Sequence, residues 1–214
     1  ISTKNEDFVI DTIALHDEIH VLNDVFSNPT ILKVGHGTEQ DIIWLQRDFD
    51  IFVVNLFDTG IAAKALQFSK MSLDFLVYKF FNIYLDKTHQ LSDWRRRPLT
   101  SSMLTYARSD SHYLLPLFEH MVSDLNKIDP TMVLTKSIFE RSKKYCVKLY
   151  AKPNFEKQNF SGFKNDWRSN IDIQNNFFIE LCRWRDQVAR IFDESVHHFM
   201  QVKQISWICK NILW

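Results

Sequence analysis

The order of apolar periods along the 214 residues predicts an α/β sheet domain followed by an all-helical segment. Short apolar runs alternate with helical spacings up to about residue 126, and a three-or-four-residue period takes over after about residue 174. Only 4 Gly and 5 Pro stand against 18 Phe and 6 Trp, the balance of a chain built to bury side chains rather than to serve as a linker. A hydrophobic share of 45% excludes wholesale disorder and collagen-like sequence, and the length suits one ordinary domain plus part of another.

Taken in order, Asp7 to Leu15 alternates loosely through Phe8, Val9 and Ile10 and reads as a strand. Glu18 to Phe26 places Ile19, Leu22, Val25 and Phe26 at helical spacing and stops before Asn28-Pro29. Ile31 to Val34 is a second strand, ending at Gly35-His36-Gly37, and Thr38 to Arg47 is a helix with Ile42, Ile43 and Leu45 apolar. Ile51 to Leu56 reads as a strand, Asp58 to Leu66 as a helix capped by Asp58, and Ser72 to Phe81 as another helix. A long helix follows Ser101, kinked at Pro116 because an interior proline loses a hydrogen bond and costs about 3 kcal/mol. Asn126 to Asn170 lacks a sustained period and reads as a basic, partly helical connector. A second helical unit starts near Gln174, with Phe177, Leu181, Trp184, Val188 and Ile191 on one apolar stripe, and the sequence stops at Trp214 in what reads as mid-element.

The charge is zero only as a sum, since residues 1–126 carry 11 basic and 17 acidic side chains, residues 127–170 carry 10 and 4, and residues 171–214 carry 5 and 5. The middle stretch, at 10 − 4 = +6, suits a strand of nucleic acid or an acidic partner, although a solvated linker has the same composition. Cys146, Cys182 and Cys209 are far apart with no Cys-x-x-Cys pair, which predicts free thiols and a reducing compartment, nucleus or cytosol. No apolar run approaches the roughly 18 residues that span a bilayer, and Ile1 to Glu6 lacks the pattern of a signal peptide, so a soluble, unsecreted protein is expected.

Two constellations can carry chemistry. Thr38-Glu39-Gln40-Asp41 opens a helix directly after a strand; it reads as a capping box, with Thr38 at the N-cap and Asp41 reaching back, or as a carboxylate placed at a sheet edge to hold a metal. Tyr106 and Asp110 stand at i and i+4, one turn apart on one helix face. Tyr-Asp pairs at that spacing also arise by chance, so the pair alone assigns no chemistry.

The linked motifs are more specific. Gly35-His36-Gly37, Asp41-Ile42-Ile43-Trp44-Leu45-Gln46, Leu56-Phe57-Asp58-Thr59, Gln90-Leu91-Ser92-Asp93-Trp94-Arg95, Arg97-Pro98-Leu99 and Tyr106 with Asp110, His112 and Tyr113 resemble the DEDD exonucleases of the tyrosine subclass. Their order and spacing are similar to those of ribonuclease D and, more closely, of the eukaryotic nuclear exosome-associated 3′-5′ exoribonucleases. Leu181-Cys182-Arg183-Trp184-Arg185-Asp186, Ala189-Arg190 and Asp193-Glu194-Ser195-Val196 resemble the start of an HRDC domain, and Tyr150-Ala151-Lys152-Pro153 is similar to the eukaryotic branch.

The resemblance implies a ribonuclease H-like exonuclease domain over residues 1–126, a connector over 127–170 and a partial HRDC domain over 171–214. It implies hydrolysis of single-stranded RNA from the 3′ end with two divalent metal ions, Mg2+ or Mn2+, in nuclear RNA processing and decay beside the exosome core, in the nucleus and nucleolus. Asp41 and Asp110 would be metal ligands and Tyr106 the residue that orients the attacking water; Trp44, Lys87 and Arg95 would contact RNA. Each has a plainer reading: Trp44 as core, Lys87 and the Arg95-Arg96-Arg97 run as solvated surface. His36 reads as a turn residue, Asp58 as a helix cap and Asp93 as a brace of its loop.

One departure bears on activity. The family's first motif, Asp-x-Glu on the opening strand, supplies two further carboxylates; no such pair precedes Asp7, and Asp7 with Asp11 and Asp17-Glu18 fall in the wrong element. The expectation is an exonuclease domain lacking its first strand or strands, with half of the metal cage and weak or no activity by itself. A scaffold that binds RNA or exosome proteins without cutting, or a nuclease acting on DNA, are the competing expectations.

Overall fold

The computed structural model describes residues 1–152, 154, 155 and 175–212, which divide into a unit of Ile1–Tyr150 and a unit of Ala151–Trp214. Pro153, the basic stretch 156–170, Gln174 and Trp214 lie outside the described residues.

In the first unit the sheet among the described residues has two parallel strands, β1 (Lys33–Gly35) and β2 (Leu56–Asp58), with Val34 opposite Phe57 and Gly35 opposite Asp58. Parallel neighbours need a crossover. It is supplied by α2 (Glu39–Phe49), preceded in the chain by a 3-10 turn at Ile19–Leu22 and the short α1 (Asn23–Phe26). Then follow α3 (Thr59–Ala65), α4 (Leu73–Phe81), α5 (Ser101–His112), α6 (Leu114–Ile128) and α7 (Val133–Cys146). The core gathers Phe57, Ile61, Ala62, Leu76, Val77, Leu117, Met121, Leu125 and Ile138, and Phe57 meets Phe118 and Phe139 edge-on at 4.8 and 5.3 Å.

Several expectations need correction. Asp7 to Leu15 is not a strand: it contributes one isolated bridge, Ser2 to Asp7, and then curls, because Asp11 Oδ1 accepts from the Ile13 and Ala14 backbone N–H groups at 3.1 and 3.2 Å. The strand read at Ile51 to Leu56 starts only at Leu56, since Asn55 adopts a left-handed φ of 51° and breaks the extended run. The long helix after Ser101 is two helices; the break falls at Tyr113, because the Pro116 ring excludes the bond that would cross from the next turn to His112, four residues back.

The stretch read as a connector contains α7, which is packed against β2. The Asp58 N–H donates to Ser142 Oγ at 3.1 Å across 84 residues, and Gln46 binds the Lys148 carbonyl and Tyr150 N–H at 2.8 and 3.0 Å. Residues 133–150 therefore belong to the sheet domain.

The second unit holds α8 (Asn176–Ile191), α9 (Val196–Phe199) and α10 (Val202–Ile212). Asn175 caps α8 by accepting from Phe177 N–H at 2.8 Å, and Phe178 and Cys182 pack with Ile205 and Cys209. The stripe read from the sequence is one position off. Trp184 is 48% exposed and Ile191 76%, while Arg185 and Asp186 are buried. Both are partnered, Arg185 Nη1 with the Met200 carbonyl at 3.0 Å and Asp186 with Arg190 at 2.6 Å, a compensation that hydropathy cannot register. All three cysteines are free thiols, and among the described residues no helix is long and apolar enough to cross a membrane.

Candidate active site

The site is organised around a carboxylate almost wholly removed from solvent. Asp58, 1% exposed at the end of β2, accepts five hydrogen bonds: Gly60, Ile61 and Gly37 N–H at 2.8, 3.2 and 3.1 Å on Oδ1, and the N–H and hydroxyl of Thr38 at 2.8 and 2.9 Å on Oδ2. It caps α3 as expected and also ties down the turn after β1. Gly37 supplies the left-handed φ of 62° this turn needs, and a Cβ on Gly35 would lie 2.1 Å from Thr38 Cγ2.

The same bonds remove the capping-box reading of Thr38 and Asp41. Thr38 spends its hydroxyl on Asp58, makes no side-chain cap on α2, and Asp41 in the first turn is left without a hydrogen-bond or ion-pair partner among the described residues. Burial, and then the charge of Asp58, push its carboxyl above the usual range.

Asp110 is in the same condition. It has no cation or donor partner among the described residues, and burial raises its carboxyl. Both acids are nonetheless accessible to water, each at the wall of a cleft. Tyr106, one turn before Asp110 on α5, shares a cavity of about 220 Å3 with it and with Lys87, His36 and Asp74. Asp41 lines an adjoining cleft of about 740 Å3, mostly apolar, whose wall includes Gly35, Thr38 and Ser111, the sequence neighbours of His36 and Asp110 in the first cavity.

The Tyr106 phenol is pushed above its ordinary value by burial and by Asp110, with Lys87 opposing, so it is protonated and able to donate at neutral pH. Lys87 is paired with Asp74 at 2.8 Å, which holds the Asp74 carboxyl at about 2. The His36 ring sits against Thr59 Oγ1 at 2.9 Å, and burial lowers its pKa, keeping it neutral. Trp44 is 46% exposed on α2, which excludes the core reading. Arg95 lies on Asp93, bonded at 2.9 Å, outside both cavities; Asp93 braces its loop by also accepting the Arg95 N–H.

The structure thus brings Tyr106, Asp110 and Lys87 together, sets Asp41 next door, and leaves Trp44 and Arg95 on the surface. His36 and Asp74, which line the Tyr106 cavity, and His89 and Trp94, whose rings lie against Tyr106, were missed. The usable signal was the motif lysine itself, which needs an acid in reach, and the His89-x-x-Ser92 spacing. Among the described residues no three His, Cys, Asp or Glu side chains stand close enough to hold an ion. The donor chemistry nonetheless suits a hard dication: two accessible carboxylates in adjoining clefts, neither paired with a cation among the described residues.

A parallel βαβ core thus carries, in clefts beside the turn after β1, two carboxylates without a partner among the described residues. Residues 1–126 match the 3′-5′ exonuclease family model, and the chain belongs to that family. It is 42% identical over 200 residues to "Exosome complex component 10 homolog" of Caenorhabditis elegans, covering 92% of this chain and 22% of the relative. To "Exosome complex exonuclease RRP6" of Saccharomyces cerevisiae it is 38% identical, over 94% of this chain and 28% of the relative. The chain thus spans about a quarter of the length of these relatives. Among solved structures, the catalytic core of RRP6 from Trypanosoma brucei superposes with a TM-score of 0.86 at 31% identity, over 99% of this chain and 58% of that one. Escherichia coli RNase D, at 21% identity and a TM-score of 0.62 over 94% of this chain and 50% of that one, shows the shared ribonuclease H-like fold.

Proposed function

We propose that the protein is a 3′-5′ exoribonuclease that removes nucleoside monophosphates from single-stranded RNA, acting with the exosome in nuclear RNA processing and decay. One observation carries the reading: Asp41 and Asp110 line adjoining clefts beside the Gly35–Thr38 turn, and neither has a hydrogen-bond or ion-pair partner among the described residues. Partial burial raises both carboxyls, and acids perturbed in this way cluster at functional sites. The names of the relatives supply the exosome and, for the yeast relative, exonuclease activity, while RNA as the substrate rests on the motif resemblance. Residues 171–214 are assigned to an HRDC-like module on the motif at Leu181–Val196, and the nucleus, with the nucleolus, is the expected location.

Asp41 and Asp110 would hold divalent ions, Mg2+ or Mn2+, which when bound acidify a water and offset charge on the phosphate in the transition state. The rest of the work falls to side chains. Tyr106, protonated and beside Asp110, donates a hydrogen bond that orients the attacking water. Lys87, pinned by Asp74 at 2.8 Å, places a positive charge at the cavity wall for the scissile phosphate. Trp44 offers an exposed indole three residues beyond Asp41 for stacking on the terminal base, and Arg95 offers a backbone contact.

The test is a titration of Mg2+ and Mn2+ with single-stranded RNA labelled at its 5′ end, using this chain and one extended upstream. Stepwise shortening by the extended chain, weak or absent with the shorter one, supports the reading. RNA bound but not shortened by either favours a scaffold, and equal degradation of a DNA strand of the same sequence replaces RNA as the substrate class.

A further inference from the structure

The Tyr106 ring is housed between two side chains of the α4–α5 loop. Trp94 lies against it with centroids 5.7 Å apart at a 39° tilt, and His89 meets it edge-on at 6.3 Å. Residues 82–100 form no helix or strand, so nothing in their own backbone ladder fixes where these rings stand. Beyond the turn bonds of Ser92 N–H to the His89 carbonyl and Arg96 N–H to the Asp93 carbonyl, side chains do so.

His89 is fixed at both ring nitrogens by the hydroxyls of Ser92 and Ser102, at 3.0 and 2.9 Å. Trp94 is fixed through its carbonyl, which accepts from Arg97 Nη1 at 2.7 Å; the same nitrogen donates to the Arg96 carbonyl at 2.9 Å. The other edge of the guanidinium, Nε and Nη2, makes two bonds of 2.5 Å to Asp11, 86 residues away. This is the two-pronged geometry in which Arg–carboxylate pairs are strongest and most directional. The side chains of Arg97 and Asp11 are 36% and 34% exposed, against 80% and 60% for the Arg95–Asp93 pair on the same loop, so the Asp11–Arg97 pair is the less screened of the two.

We infer that Asp11 and Arg97 are positioning residues: their bidentate ion pair shapes the 93–97 loop so that Trp94 presses on Tyr106 and sets the direction of the phenol in the cavity. This rests on the proposed role of Tyr106 as the water-orienting group. A lysine at position 97 keeps the charge but loses the fork.

The test reads Tyr106 directly, by NMR of the chain with 13C-labelled tyrosine rings, the signal being assigned by its loss in Tyr106→Phe. Trp94→Leu removes the indole ring current and moves the Tyr106 signal. Arg97→Lys and Asp11→Asn move it in the same direction, and the exchanged pair Asp11→Arg with Arg97→Asp returns it toward the starting position. A Tyr106 signal unmoved by Trp94→Leu, or moved by it but not by Arg97→Lys or Asp11→Asn, overturns the inference. In the active protein, Arg97→Lys lowers kcat roughly 10- to 100-fold with KM for RNA unchanged. Added to Tyr106→Ala it costs nothing more; a full further loss there overturns the inference. If Tyr106→Ala itself leaves kcat undiminished, the water-orienting role falls, and the NMR shifts still decide the positioning claim.

Discussion

Asp58 accepts both the backbone N–H and the hydroxyl of Thr38, at 2.8 and 2.9 Å, and in doing so takes from α2 the side chain that would have capped it. Asp41 is thereby released from a structural duty. Asp58→Ala would leave the N–H groups of Gly37, Thr38, Gly60 and Ile61 without their acceptor. At about 1–3 kcal/mol for each buried group left unpaired, it should destabilise the first unit by at least about 3 kcal/mol in urea denaturation, while Thr38→Val should cost about 1 kcal/mol.

Asp41 and Asp110 should show the opposite behaviour. A carboxyl whose folded pKa is raised contributes stability that is full below its unfolded value and lost as pH rises through the folded one. At neutral pH each charge works against the fold, so Asp41→Asn and Asp110→Asn should raise the thermal midpoint in metal-free buffer. The gain should stay under about 1 kcal/mol because water reaches both groups. Millimolar Mn2+ should stabilise the unsubstituted chain and lose that effect in either variant.

Acid should act through other carboxylates, Asp7 and Asp74 among them. Asp7 is held at about 2 by Ser2, Arg108 and His112, and Asp74 at about 2 by Lys87 and Ser72, against an ordinary value of 3.8. Depressed values mean stability present above 3.8 and lost as pH falls toward 2. Thermal midpoints measured between pH 5 and pH 2 should fall across that window, and less steeply in Asp74→Asn.

The domain boundary can be tested by truncation. Because α7 seats Ile138, fully buried, in the core under Phe57, a chain ending at residue 150 should give a cooperative unfolding transition and one ending at residue 126 should not. Ile138→Ala should cost about 2–5 kcal/mol.

What was legible in the sequence was local. The Asp58 cap, the helix after Thr38 and the one-face pairing of Tyr106 with Asp110 all depend on residues within a turn of each other, and the structure shows them. The distant partners were not legible. Nothing near Asp11 announces Arg97, nothing near Asp58 announces Ser142, and the segment at Asp7 to Leu15 has a strand's composition but, among the described residues, pairs only at its start, through the Ser2–Asp7 bridge. Trp184 was misplaced for a related reason: its helix buries Arg185 and Asp186, which bond to Met200 and Arg190.

The central claim is that an unpartnered Asp110 beside Tyr106 is there for phosphodiester hydrolysis. It is tested most directly by comparing Asp110→Asn with the unsubstituted sequence, in the upstream-extended chain, on 5′-labelled single-stranded RNA with Mg2+. Stepwise shortening from the 3′ end, released as nucleoside monophosphates and abolished by the substitution while RNA is still bound, is the predicted result; undiminished shortening by Asp110→Asn would contradict it.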